Sequence, residues 1–548
     1  MSYSTENFQV VLDSFQLDAD SPLDSRTIRR AFAEAECEFG DQEHTVFNRE
    51  TTLWAFLYEM LHTGPQRTLQ AAVLAVRQLR IAKGLDPNSP NTGTYAAARA
   101  KMDVAVPLSL LQTVAKNAEQ SVPHDMLLCG EHVTLMDGSS DSMPDTPENQ
   151  EQYPQPKSQK PGLGFPLRRF VVLISAATAM VQMVAFGTWS GKGSSELGLL
   201  ASLFDQLKAA SKQIRILVAD RYYCSYLTIA VLAHFGIKFV TRLHGSRLID
   251  FADAENVSRK RNGDFHVVWK RPQRPFWITD RLWEIIPETM TLRLVRVRIR
   301  TEGSRTRGFF VVTNLMDAER HPSDAIREMY RSRWHVETDL RTIKSFMSLD
   351  ILRGKTPDMV DREFAMGLLA YNLVRAKMLE TAVKMREEAP QQPKTTKHQA
   401  PQTTTTKTKT TASTTAAATT STTTSTTATT KTKTATKKPK TKTNQIAPEN
   451  VTARHLSFSV ALKSIAISYL TIHFMNAPMR RAYDNAAQTD RAANQVGNRP
   501  NRYEPRCVKR RPKPHRLMQE PRETLREHLK RGTSPTQDGD EAATMLGE

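Results

Sequence analysis

The first hundred residues carry apolar positions at helical spacing. TTLWAFLYEMLH (51–62) is apolar on one face and stops before Gly64. A second helix, about 66–83, turns Leu69, Val73, Val76 and Leu79 inward and stops at Gly84. A third segment lies near 94–102. Arg77, Arg80, Lys83, Arg99 and Lys101 fall on the outer faces. Short helices with basic outer faces suit a DNA-binding module, and equally an ordinary solvated helix surface.

From residue 131 the pattern changes to strands. The strand expected at 131–136, in HVTLMD (132–137), leads into Asp137, and IRILVA (214–219) ends at Asp220. Further strands are expected at about 169–175, 180–187 and 237–243, with helices at about 194–210 and 225–234. Together they predict a mixed α/β unit. Residues 245–320 interrupt it with β-rich material: FHVVW (265–269), LRLVRVRI (292–299) and GFFVVTN (308–314). A long helix is expected from Pro322 to about 347, another over about 359–385, and a last over about 456–474. The charge-free stretch 170–191 is long enough to span a bilayer. Ser175, Thr178, Gln182 and Gly187 interrupt it, so two buried strands explain it better and no membrane association is expected.

Composition adds a partner class. The chain has 548 residues and a formal net charge of +19, an excess that favours a polyanion. The excess is local. Residues 391–445 contain ten Lys and no acid, and residues 479–517 contain eleven Lys/Arg against three acids. The first is a Thr/Lys/Ala run that cannot bury a core and should be disordered and dispensable for folding. Cys37, Cys129, Cys224 and Cys507 are scattered, so a disulfide scaffold or zinc finger is not expected. The N-terminal MSYSTENFQVVLDSF has no signal-peptide pattern.

The chemistry is concentrated in EMYRSRWHVETDLRTIKSF. Tyr330, Arg333, Glu337 and Lys344 are spaced 3, 4 and 7. At about 100° per residue they share a helical stripe about 60° wide, which Arg341 extends. One acid among cations and a phenol suits gripping phosphate while the acid holds a metal; an exposed salt-bridged face is the alternative. Asp137 and Asp220 each end an apolar strand, where a carboxylate needs a cation or a helix to cap. Three carboxylates from two strands and a helix would make a site for metal-dependent phosphoryl transfer. Trp269, Trp277 and Trp283 in the β-rich block are base-stacking candidates, with core packing as the commoner fate. His335 falls off the stripe, GKGSS (191–195) lacks the P-loop spacing, and Cys224 reads as packing.

These residues resemble the bacterial insertion-sequence transposases of the DDE class, specifically the IS-four family that contains the Tn-five and Tn-ten enzymes. The resemblance rests on Asp137 in LMDGSSDSMPDTPENQEQYPQ, Asp220 in LVADRYYCSY and the Y-x2-R-x3-E-x6-K signature at Tyr330, Arg333, Glu337 and Lys344. EPRCVKRRPKP also looks like the family's C-terminal stretch. The likeness runs over about 50–385 and 450–525. It implies an RNase H-like core with a β-strand insertion before the Glu helix. It implies Asp137, Asp220 and Glu337 as catalytic metal ligands for two Mg²⁺, with Mn²⁺ able to substitute. It implies Tyr330, Arg333, Arg341 and Lys344 as DNA-phosphate contacts. The partners implied are transposon-end inverted repeats and target DNA, with a homodimer in the DNA complex and a cytoplasmic, nucleoid-associated location. The run at 391–445 departs from the family, which has a short connection there.

The expected organisation is a helical N-terminal DNA-binding domain (1–110), a catalytic domain (111–385) with its β-rich insertion at 245–320, a low-complexity insert (386–448), and a C-terminal helix with a basic tail (449–548). The expected function is cut-and-paste DNA transposition by metal-dependent end cleavage and strand transfer. A DDE nuclease without strand transfer and an inactive DNA-binding relic share the same residues and stay open.

Overall fold

The computed structural model describes residues 23–42, 45–191, 193–247, 249–260, 262–275, 278–298, 308–389, 446–496 and 520–531. The Thr/Lys/Ala run at 391–445, Trp277 and the basic stretch 498–516 lie outside them.

Five helices open the described chain: α1 (Ser25–Glu34), α2 (Arg49–Leu61), α3 (Leu69–Ala82), α4 (Gly93–Lys101) and α5 (Ala105–Ser121). Asp24, Asn48 and Thr68 cap the first three by accepting hydrogen bonds from backbone N–H groups of the first turn. α1 lies in the part expected to be helical, though no bounds were expected for it; α5 was not expected as a helix running to 121, and residues 110 and 111 lie inside it. The basic outer faces are less free than the sequence suggests. Arg77 and Arg80 donate to the carbonyls of Asn88 and Asp86 in the loop after α3. Arg99 points inward, 2.7 Å from Glu59 and 4.7 Å from the centre of the Phe56 ring.

The central element is a nine-stranded sheet in the order β3-β2-β1-β4-β5-β9-β8-β7-β6. Its first part comprises β1 (Val133–Ser142), β2 (Leu167–Ser175), β3 (Val181–Thr188), β4 (Ile216–Ala219) and β5 (Lys238–Arg242). β1, β4 and β5 are parallel; β2 pairs antiparallel with β1, and β3 pairs antiparallel with β2. The uncharged stretch is therefore β2 and β3, and no described helix is long and apolar enough to cross a membrane. The β-rich block supplies β6 (Val257–Arg259), β7 (Phe265–Lys270), β8 (Thr289–Arg298) and β9 (Gly308–Thr313). It does not interrupt the sheet: β9 pairs with β5 from Val240↔Thr313, so the block continues the same sheet.

Strand alternation divides the core. One face buries Leu135, Phe170, Val172, Ile174, Val218 and Val240 under α5 and the long helix α13. The other buries Met136, Val171, Leu173, Leu217 and Phe239 under α7, α8 and α9. In chain order the remaining helices are α6 (Pro147–Gln152), α7 (Glu196–Ser202), α8 (Phe204–Ala209), α9 (Tyr226–His234), α10 (Asp280–Glu284), α11 (Ser323–Ser332), α12 (Trp334–Arg341), α13 (Pro357–Glu387), α14 (Phe458–Thr471), α15 (Ala477–Ala493) and α16 (Arg522–Arg531). The expected helix at 194–210 is thus two, and the one at 456–474 is followed by an unexpected α15.

Buried ion pairs tie these parts together. Arg67, ahead of α3, lies 2.7 Å from Glu363 of α13. Asp339 of α12 is held by Arg375 of α13 at 3.1 Å and by Arg454 at 2.6 Å. Arg454 follows the 391–445 run, so the segment beyond that run docks two residues from Glu337. Such pairs are costly to break one-sidedly, because the remaining charge is left buried.

Candidate active site

The sheet register places Asp137 and Asp220. β1 and β4 are parallel and paired up to Met136↔Ala219. Asp137 and Asp220 are the next residues on each strand, so they stand side by side where β4 ends. Parallel neighbours lie about 4.8 Å apart. Asp220 also caps the short turn Arg221–Tyr223, accepting from Tyr222 N at 2.7 Å. The two roles expected as alternatives, capping and site carboxylate, are therefore geometrically compatible.

The Glu337 helix crosses this edge. α11 and α12 run on through Arg333, whose backbone is itself helical. Arg333 Nη2 lies 3.1 Å from Glu337 Oε1, and Arg333 Nη1 lies 3.7 Å from Asp137 Oδ2. The guanidinium is buried, and its Nε has no hydrogen-bond partner among the described residues. Glu337 is more open, with 42% of its side chain exposed.

The cationic stripe divides in the structure. Tyr330 is buried against Phe309, and burial pushes its phenol up. A π turn over Thr342–Phe346 breaks the straight-helix phase assumed for Lys344. Lys344 Nζ instead donates to Ser140 O at 2.8 Å and Ser139 Oγ at 3.3 Å, fastening the helix to β1. Arg341 is exposed. Trp269 is core, with Arg247 over its ring at 3.8 Å, and Trp283 is half-buried beneath Arg271.

One residue escaped the sequence reading. Glu196 opens α7, which Ser195 caps, and its Oε2 accepts from Tyr223 OH at 2.9 Å. Its carboxyl lies directly over Gly138, where an added Cβ would stand 2.3 Å from Glu196 Cδ. The only trace in sequence was a glycine following Asp137. Burial, then the nearby charges of Asp220 and Glu196, push the Asp137 carboxyl up to about 6, against the opposing effects of the Gly138 N–H and Arg333.

This is a site short of positive charge. Its donors are carboxylate oxygens, the type hard divalent cations take, and a buried carboxylate raised by acidic neighbours gains from a cation. The donor chemistry fits a divalent metal. Among the described residues, however, no three His, Cys, Asp or Glu side chains are gathered closely enough to hold an ion; Arg333 stands between Asp137 and Glu337 instead.

Residues 129–373, which contain all of these groups, match the family described as Transposase DDE domain. The chain is similar to the transposase InsG for insertion sequence element IS4 of Escherichia coli (strain K12), with 27% identity over 267 residues. That match takes in 48% of this chain and 56% of the relative, so the chain spans little more than half the relative's length. Among solved structures, the piggyBac transposase synaptic complex with hairpin DNA aligns at a TM-score of 0.35 and 11% identity, over 68% of this chain and 76% of that one.

Proposed function

We propose that this protein is a DNA transposase that cleaves phosphodiesters at transposon ends and transfers the 3′ ends to target DNA. The observation that carries the reading is the meeting of Asp137, Asp220 and the Arg333–Glu337 pair where β4 ends beside β1, inside the segment that matches the transposase DDE domain. In this reading the β1–β5 part of the sheet is an RNase H-like core, and β6–β9 is its insertion. Asp137, Asp220 and Glu337 would hold divalent cations, Mg²⁺ with Mn²⁺ as a substitute, which would supply Lewis-acid activation of the attacking oxygen and neutralise charge on the phosphate.

The chain's own residues do the rest. Arg333 neutralises Asp137 and Glu337 in the free protein and turns to the DNA phosphate when the carboxylates are otherwise compensated. Lys344 fixes the distance between the Glu337 helix and β1. Tyr330 and Arg341 flank the phosphate path. The helical 1–110 part and the basic 449–548 part flank the catalytic part as DNA contacts, and the complex on DNA is a homodimer.

Asp137→Asn, Asp220→Asn and Glu337→Gln test the reading. Each should abolish Mg²⁺-dependent strand cleavage and leave DNA binding largely intact, because a carboxamide keeps shape and loses charge. Strand transfer by the wild type excludes a nuclease that only cuts, and wild-type cleavage excludes an inactive relic. Normal cleavage by any of the three variants removes that residue from the site.

A further inference from the structure

We propose that an arginine-lined depression at the open edge of the sheet binds the sugar-phosphate backbone of DNA. The depression is lined by Arg259 of β6, Asn262 and Gly263 of the turn, Phe265 of β7, Arg296 and Arg298 of β8, and Arg327 of α11, and encloses about 550 Å³. No carboxylate lines it.

The strand pattern builds the cluster. Alternate residues of β8 share a face: Leu292 and Leu294 are buried, and Arg296 and Arg298 continue that face into solvent. At about 3.4 Å per residue, their Cα atoms stand about 7 Å apart, a spacing comparable with consecutive phosphates of one strand. Arg259 reaches the same face through its pairing with Phe265. Arg327 joins from below, donating to Arg296 O at 3.0 Å and to Asp324 at 2.6 Å, so it is already partly neutralised. Among the described residues the side chains of Arg259, Arg296 and Arg298 have no ion-pair or hydrogen-bond partner.

Phe251 is 46% exposed and packs on Phe265 at 4.9 Å and Phe310 at 5.3 Å, leaving an apolar surface beside the cations. Cations interleaved with aromatic rings suit a nucleic-acid backbone with its sugars and bases. The open shape and the spread of charge suit a polymer rather than one small anion. Arg327 and Glu337 are on one run of helix, about 15 Å apart along its axis. DNA whose phosphate lies at Glu337 therefore passes within reach of the depression.

The inference rests on the DNA-transposase reading, and its test separates the two. The triple variant R259Q/R296Q/R298Q and the wild type are titrated, as full-length protein, with a duplex of arbitrary sequence at several salt concentrations. The triple variant should keep the wild-type melting temperature and bind more weakly at low salt. Its slope of log affinity against log salt should be shallower by about 2 to 3, the loss expected for about three phosphate contacts. A triple variant with the wild-type slope overturns the proposal and leaves the catalytic reading standing. A wild type that binds no DNA overturns both.

Discussion

Arg333 lies 3.1 Å from Glu337, four residues ahead of it on the same helix, and reaches Asp137 of β1 with its other Nη at 3.7 Å. One buried guanidinium thus holds two carboxylates from different elements. Without it, the largely buried Asp137 would stand beside the half-exposed Glu337 uncompensated, with Asp220 adding a third charge. Arg333→Ala should therefore lower stability by about 1–3 kcal/mol, the range for leaving buried charged groups unpaired. Added Mg²⁺ should raise the melting temperature of this variant by more than it raises that of the wild type. Thermal melts with and without Mg²⁺ measure both. Equal increments would show that Arg333 does not compensate these carboxylates.

Lys344 illustrates how an identical motif can carry a different task. Its ammonium donates to the Ser140 carbonyl at 2.8 Å, so it is a strut between helix and strand in the free protein. Lys344→Met keeps much of the stem and removes the donor. The variant should lose about 1–2 kcal/mol in denaturant unfolding, as a half-buried carbonyl loses a charge-assisted partner. A stability within about 0.5 kcal/mol of wild type would place the ammonium among ordinary surface charges.

Gly138 is required by Glu196 rather than by its backbone angles. An alanine there would put Cβ 2.3 Å from Glu196 Cδ, and the carboxyl would have to leave the Tyr223 hydroxyl that donates to it. Gly138→Ala should cost about 1 kcal/mol, one hydrogen bond's worth. Glu196→Ala in the same chain should remove most of that cost, giving a coupling of similar size in a double-mutant cycle. Additive effects would show that the contact is relieved elsewhere.

Much of this architecture was legible because it rests on short-range pattern. The runs 131–136, 214–219 and 237–243 are rich in Val, Ile, Leu and Phe, and the structure places β1, β4 and β5 there, with β1 running on through Asp137 to Ser142. The Ser, Thr, Gln and Gly positions in 170–191 separated β2 from β3 correctly. The pairing of β9 with β5 was not legible. It joins Val240 to Thr313 across the segment that holds β6, β7 and β8, and strand periodicity carries no partner identity. The bounds of α1 and the whole extent of α5 were not legible, for different reasons. α1 is a short amphipathic helix, and α5 begins beside a proline at position 107. In the site, the acids announced themselves by ending apolar runs. Glu196 did not, since a Glu at the start of a capped helix is ordinary. The π turn at 342–346 also had no sequence signal, and it moved Lys344 off the phase a straight helix would give it.

His473 makes the acid side of the stability curve testable. It follows α14 and packs on Trp54, ring centres 6.1 Å apart. Burial, then the positive charges of Lys83 and Arg480, push its imidazole down to about 4, although a backbone bond at Tyr469 opposes this. Its Nε2 is buried without a partner among the described residues, so the neutral ring is the form the fold accepts. A histidine whose folded pKa lies below its unfolded value near 6.5 contributes stability that is complete above about pH 6.5 and is lost as pH falls towards 4. The difference is worth up to about 3 kcal/mol. His473→Phe keeps a ring against Trp54 and cannot be protonated. Its stability should fall less steeply than wild type's between pH 6.5 and 4, by up to that amount. His335 and His455, whose pKa values burial also lowers, keep some acid sensitivity in both proteins. Denaturant unfolding of both proteins across this range decides the matter. Parallel curves would show that His473 is reached by water and protonates in the folded protein without penalty.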